Sequence, residues 1–194
     1  MSPDEVHFPV AYYNGTAFFF APTDRHSPTY FGGPSDITFT GVRHGPEPLH
    51  HILTLAGAVI PALVDYHVFS LPLFYGLRYD ACSLTYRMPE RSVCEITKLQ
   101  PRRSSADWPY RDYPRLLPYI PLRLSRRTRC TAKRFAKLSY QGLEIKPTTM
   151  VVVVPPVFIG GVSMWGPMGD AEGVQIVFEC DFENKTVRAS NQCT

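Results

Sequence analysis

Nineteen prolines are distributed over these 194 residues, roughly twice the ordinary usage of about 5%. Each one fixes φ, removes a backbone donor and pushes the residue before it towards extended geometry. Many loops of this chain must therefore be extended and internally braced. The densest stretch lies between Gln100 and Arg129. It contains Trp108-Pro109-Tyr110-Arg111-Asp112-Tyr113-Pro114 and Leu117-Pro118-Tyr119-Ile120-Pro121. Neither run suits an ordinary helix or a central strand, yet both are too aromatic for a solvated linker. The expectation is an irregular segment pinned to the body by its rings.

Outside that stretch the patterning is regular. Thr16 to Phe20, Ile37 to Val42, Val68 to Leu77, Leu84 to Met88 and Val93 to Leu99 read as strands between turn signals. Pro72 marks the third of these as an edge or a bend. Met150 to Val154 is a continuous apolar run that suits a central strand covered on both faces. Val174, Ile176, Phe178 and Cys180 alternate with polar residues and turn at Glu183-Asn184-Lys185 into Thr186 to Ser190, a hairpin. Two helices are predicted. Leu49, Ile52, Leu53, Ala56, Val59, Ile60 and Leu63 follow helical spacing over Glu47 to about Ile60. The second begins at Thr131 as N-cap and is closed by Gly142. An apolar content of 44% with 13% aromatics belongs to a folded chain. The expected fold is α+β: one domain over residues 1–194, a mixed or mainly antiparallel sheet, two main helices and long Pro-rich loops.

The opening Met1-Ser2-Pro3-Asp4-Glu5 is acidic where a signal peptide would be basic. The longest apolar run, Ile52 to Val64, is interrupted by Thr54, Gly57 and Pro61 and is too short for a bilayer. Five widely spaced cysteines, Cys82, Cys94, Cys130, Cys180 and Cys193, make neither a disulfide framework nor a zinc ribbon and read as reduced core thiols. A cytoplasmic chain with no membrane segment is expected. Asn14-Gly15-Thr16 and Asn184-Lys185-Thr186 are then turns.

Charge is the strongest functional signal. From Lys98 to Lys137 twelve basic residues stand against two acids, Asp107 and Asp112, a net of +10 in a chain of net +3, which leaves −7 for the remainder. Such asymmetry implies either an anionic partner or an acidic patch on the same protein. Trp108, Tyr110, Tyr113 and Tyr119 add flat faces among the guanidinium groups, the combination that binds single-stranded nucleic acid.

A second feature is the glycine-rich loop from Gly160 to Gly173, with Ser163, Trp165, Asp170 and Glu172. Gly161-Val162-Ser163-Met164-Trp165 misses the nucleophile elbow at its last position, and neither a dinucleotide fingerprint nor a Walker lysine is present. Trp165 between Met164 and Met168 makes a good interface anchor. All six histidines fall within the first 67 residues. On the predicted first helix His50 takes the polar side and His51 the flank, so they cannot share a metal as an i, i+4 pair does. No metal and no cofactor is expected.

Three classes of function fit. The first is a non-enzymatic binding protein that engages a protein partner, acidic at its contact surface, through Trp108, Tyr110, Arg126, Arg127, Arg129 and Trp165. Small immunity proteins that neutralise bacterial toxins work in this way, although no motif here resembles theirs. The second is a small hydrolase using Ser163, or His50 with Asp170. The third is a nucleic-acid or polyanion binder, whose affinity would fall steeply with salt.

Overall fold

The computed structural model describes residues 7–42, 49–79, 82–100, 115–156, 158–159, 162–163 and 174–193. Strands β1 (Val10–Tyr13) and β2 (Thr16–Pro22) form a hairpin. Its two-residue turn, Asn14-Gly15, has φ of 43° and 74°, the left-handed turn geometry that matches the twist of paired strands. There follow β3 (Tyr30–Phe31), β4 (Thr38–Gly41), β5 (His50–Ala56), a single-turn helix α1 (Pro61–Asp65), β6 (Ser70–Tyr75), β7 (Ser83–Arg87) and β8 (Val93–Gln100). After them come β9 (Ile120–Arg129), the short helix α2 (Ala132–Phe135) running into a 3-10 turn (Ala136–Leu138), β10 (Thr149–Val154), β11 (Phe158–Ile159), β12 (Val162–Ser163), β13 (Val174–Asp181) and β14 (Thr186–Cys193).

Twelve of these strands make one sheet in the order β4-β8-β7-β14-β13-β10-β1-β2-β9-β3-β5-β6, while β11 and β12 pair only with each other. Among the described residues every ladder is antiparallel except β4 with β8. The fold is therefore mostly β, and the expected α+β domain with two main helices is corrected. The helix predicted over Glu47 to Ile60 is in fact β5, inside the sheet between β3 and β6 and buried along its whole length. A strand covered on both faces carries apolar residues at every position, so helical spacing can always be found within it. The second predicted helix does start at Thr131, whose hydroxyl accepts from the Arg134 N–H (3.2 Å), and Gly142 has φ of 73°. Between them, however, lie only α2 and its 3-10 turn.

A second correction concerns the Pro-rich segment. Residues 101–114 lie outside the described residues, but Ile120–Arg129 is a ten-residue strand. Pro121 is accommodated because β9 changes partner there. Ile120 and Pro121 pair with β3, and from Leu122 onward the strand pairs with β2. The Pro121 carbonyl accepts from Thr23 N–H (3.0 Å), and the next donor, Leu122 N–H, goes to Thr29 (2.8 Å). Pro72 lies on β6, the last strand in the order, as an edge proline should.

The sheet curls until its ends meet through side chains. Phe39 of β4 and Phe74 of β6 pack edge to face at 5.0 Å, and the Phe74 N–H donates to the Tyr86 hydroxyl of β7 (3.0 Å). The concave face holds the main core, including Phe18, Leu53, Leu73, Tyr86, Val152, Ile176 and Phe178. The convex face of the central strands carries a smaller core of Val10, Tyr12, Phe19, Val151, Val153 and Val177, sealed by Phe135 and Leu138 from the α2 segment. Phe135 stacks on Tyr12 at 4.8 Å. Buried Gln175 holds the backbone beyond that segment, donating to the Leu138 carbonyl (3.2 Å) and accepting from Tyr140 N–H (3.3 Å). Met150 to Val154 is central and doubly covered, as its sequence required.

Candidate anion-binding surface

Strand β9 carries the arginines that the charge pattern singled out, and its pairing decides where each one points. Side chains of cross-strand partners share a face, and successive residues alternate. Leu122 and Leu124 pack against the main core on the concave side, so Arg123 between them points to the convex side. At Ser125 the strand bulges. Phe19 pairs with Arg126 but Phe20 with Leu124, and the extra Ser125 donates its hydroxyl to the Phe19 carbonyl (3.0 Å). A bulge of this kind re-aims the residues beyond it. Arg126 then shares the convex side with Phe19, its guanidinium 4.1 Å from the ring centre. Arg127 lies over Phe18 at 5.4 Å on the concave side, with Arg129 opposite Thr16 on that same side. Stacking of this kind holds a guanidinium in place.

The arginines expected to act together are thus divided between two faces. Arg123 and Arg126 share the convex side with Lys133, Arg134 and Lys137 of the α2 segment, the last three bordering, with Thr131, a shallow recess of about 400 Å³. Arg127 and Arg129 border a different recess of about 670 Å³, together with Asn14, Gly15 and Thr16. All seven cations are exposed. Among the described residues, Arg123, Arg127, Arg129, Lys133, Arg134 and Lys137 make no ion pair. The acids that do pair take other partners: Arg87 with Glu95 (2.7 Å), Lys185 with Glu90 (3.6 Å) and Arg188 with Glu179 (3.1 Å). None of these six cations pairs with a described acidic residue.

No family model, no curated protein and no solved structure matches this chain.

Of the other predicted residues, His50 lies in β5 with its side chain buried, not on the polar side of a helix. Ser163 ends β12, whose pairing with β11 puts it opposite Phe158. Trp108, Tyr110, Trp165 and Asp170 lie outside the described residues. Cys82, Cys94, Cys130 and Cys180 are buried free thiols, as expected. Burial pushes the thiols of Cys82 and Cys94 up to about 12, which keeps them protonated and unreactive. Asn14-Gly15 and Asn184-Lys185 are turns, while Thr16 and Thr186 open β2 and β14; the second turn is closed by Asp181, which accepts from Asn184 N–H (3.0 Å) and side-chain amide (2.8 Å). Those two bonds hold the Asp181 carboxyl below its ordinary value. Among the described residues, no three His, Cys, Asp or Glu side chains could hold a metal ion. No described helix is long and apolar enough to cross a membrane.

Two features escaped the sequence. Asn14 read as turn punctuation and Thr16 as the start of a strand, and only the β2–β9 register brings them beside Arg127 and Arg129. A groove of about 620 Å³ also runs between β6 and the β7–β8 and β13–β14 turns, bordered by Tyr66, His67, Phe69, Arg91, Phe182 and Lys185. The three basic residues among them have positive φ (58°, 56° and 50°), a geometry set by local turns. His67, for example, follows α1 where its N–H bonds the Val64 carbonyl (2.9 Å) and Val68 N–H bonds the Leu63 carbonyl (2.6 Å), a helix-terminating motif usually built on glycine.

Proposed function

We propose that this chain is a non-enzymatic binding protein that takes an acidic protein surface on its convex face, through Arg123, Arg126, Lys133, Arg134 and Lys137. The observation that carries this reading is the exposure of these cations over a sealed core, with four of the five unpaired among the described residues. Like charges held together in this way repel, and an anionic surface relieves that repulsion and speeds encounter. A protein is favoured over single-stranded nucleic acid because base stacking needs exposed rings. The rings beneath this face, Tyr12, Phe19 and Phe135, are buried. The same reading places the chain in the cytoplasm, which the buried free thiols suit.

The test is fluorescence anisotropy of a labelled polyglutamate peptide and of a single-stranded oligonucleotide, at low and high salt, with wild type and Lys133→Glu/Lys137→Glu. Binding of the polyglutamate that weakens with salt and with charge reversal supports the reading. A peptide that fails to bind at low salt, or a preference for the oligonucleotide, removes it.

A further inference from the structure

The recess on the concave side of β9 is separate from the face just described, and its chemistry is more specific. Among the described residues four side chains border it: Arg127, Arg129, Asn14 and Thr16. Two are permanent cations, and the others bring an amide and a hydroxyl. Among the described residues no carboxylate borders it. Among the described residues none of the four side-chain polar groups has a hydrogen-bond or ion-pair partner.

These groups are held by the fold. Arg129 stands opposite Thr16 and Arg127 opposite Phe18 in the β2–β9 ladder, so both guanidinium groups rise on the side that carries the Thr16 hydroxyl. Arg127 is further steadied over the Phe18 ring. Asn14 is fixed by the two-residue turn, and the Gly15 carbonyl ties that turn to the end of β9 by accepting from Cys130 N–H (2.9 Å).

We propose that this recess binds a phosphate monoester. Two guanidinium charges match a phosphate monoester, which carries about −1.5 to −2 near neutral pH, whereas a carboxylate needs only one bidentate arginine. The hydroxyl and amide supply further donors for the three terminal oxygens. At about 670 Å³ the recess lies within the roughly 300–1,000 Å³ of small-molecule sites, so it holds the phosphate together with the group attached to it. That group belongs either to a small molecule or to a phosphorylated side chain.

The test is a ¹⁵N NMR titration of the whole protein with inorganic phosphate, free phosphoserine, a phosphoserine peptide, the same peptide unphosphorylated, and acetate. Saturable shifts at the amides of Asn14, Gly15, Thr16, Arg127 and Arg129 with the phosphate probes, far stronger than with acetate, are expected. Tighter binding of the peptide than of free phosphoserine assigns the phosphate to a protein side chain, and the reverse assigns it to a small molecule. Arg127→Gln and Arg129→Gln should each weaken phosphoserine by at least about tenfold, and Arg126→Gln, on the other face, should leave it unchanged. Thr16→Val keeps the β-branched shape of the strand and should lose about threefold; it decides the matter if an arginine variant does not fold. No saturable shift with any phosphate probe, acetate binding as tightly as phosphate, or an Arg127→Gln protein that binds like wild type overturns the proposal. None of these results bears on polyglutamate binding by the convex face.

Discussion

His51 should make the protein sensitive to mild acid, by an amount that follows from its surroundings. Its ring lies 5.3 Å from that of Tyr30 and 5.6 Å from that of Phe74, and its Nε2 is 2.8 Å from the Thr54 hydroxyl. It is 5% exposed, and among the described residues its Nδ1 has no hydrogen-bond partner. Burial lowers its pKa, and the nearby backbone of Gly32, Gly33 and Leu53 offsets part of that shift. The unfolded chain binds this proton near the ordinary value of about 6.5, while the folded protein resists it. The contribution of neutral His51 is thus complete above that value and is lost as the pH falls towards the lower folded-state pKa. Between about pH 7.5 and 5.5 the loss is at most about 1.4 kcal/mol, the full linkage for one proton. For a chain of this size that is a fall in Tm of roughly 3–5 °C. Urea unfolding followed by far-UV circular dichroism at the two pH values measures it, with His51→Gln as the comparison. The glutamine keeps a polar group near Thr54 but does not titrate, so the variant should lose that part of the pH dependence whatever its own stability. A variant whose stability falls between the two pH values as much as wild type would refute this account of the buried imidazole.

Two further substitutions probe the backbone. Gly32 has φ of 62°, and a Cβ there would run into the Pro118 carbonyl oxygen and Leu117, so Gly32→Ala should destabilise by about 2–3 kcal/mol or more in chemical denaturation. His67, in left-handed geometry after α1, should do the opposite: His67→Gly relieves the strain and should stabilise by about 1 kcal/mol, read as a rise in Tm.

Much of the sheet was legible because alternation and turn chemistry agree locally. The β13–β14 hairpin, β2, β8 and the doubly covered β10 all follow from patterns a few residues wide. The failure at β5 has an equally local cause. His50, His51, Ile52, Leu53, Thr54, Leu55 and Ala56 are all buried, so alternation is absent, and a bulge at Ile52 disturbs the period further. In β9 the prolines argued against a strand. Only the exchange of partners at Pro121 makes one possible, and that exchange involves residues about ninety positions away. The candidate site was half visible. The density of charge identified the arginines, but alternation along β9 separates Arg126 from Arg127 and Arg129, and the bulge at Ser125 turns Arg126 to the convex side with Arg123; no count of charges contains that division.

The strand order has a consequence for how the protein is made. β1 and β2, formed from the first residues of the sheet, lie between β10 and β9, and β7 waits for β14. As the chain leaves the ribosome, the early hairpin therefore has no flanking partner until Ile120–Arg129 has emerged, and lacks its second until Thr149–Val154 follows. The row stays interrupted beside β7 until the last strand arrives. The sheet is therefore completed late, through contacts distant in sequence, and these are the slowest to form. A cell that makes this protein must keep the apolar β5 and β6 segments out of aggregates during that interval.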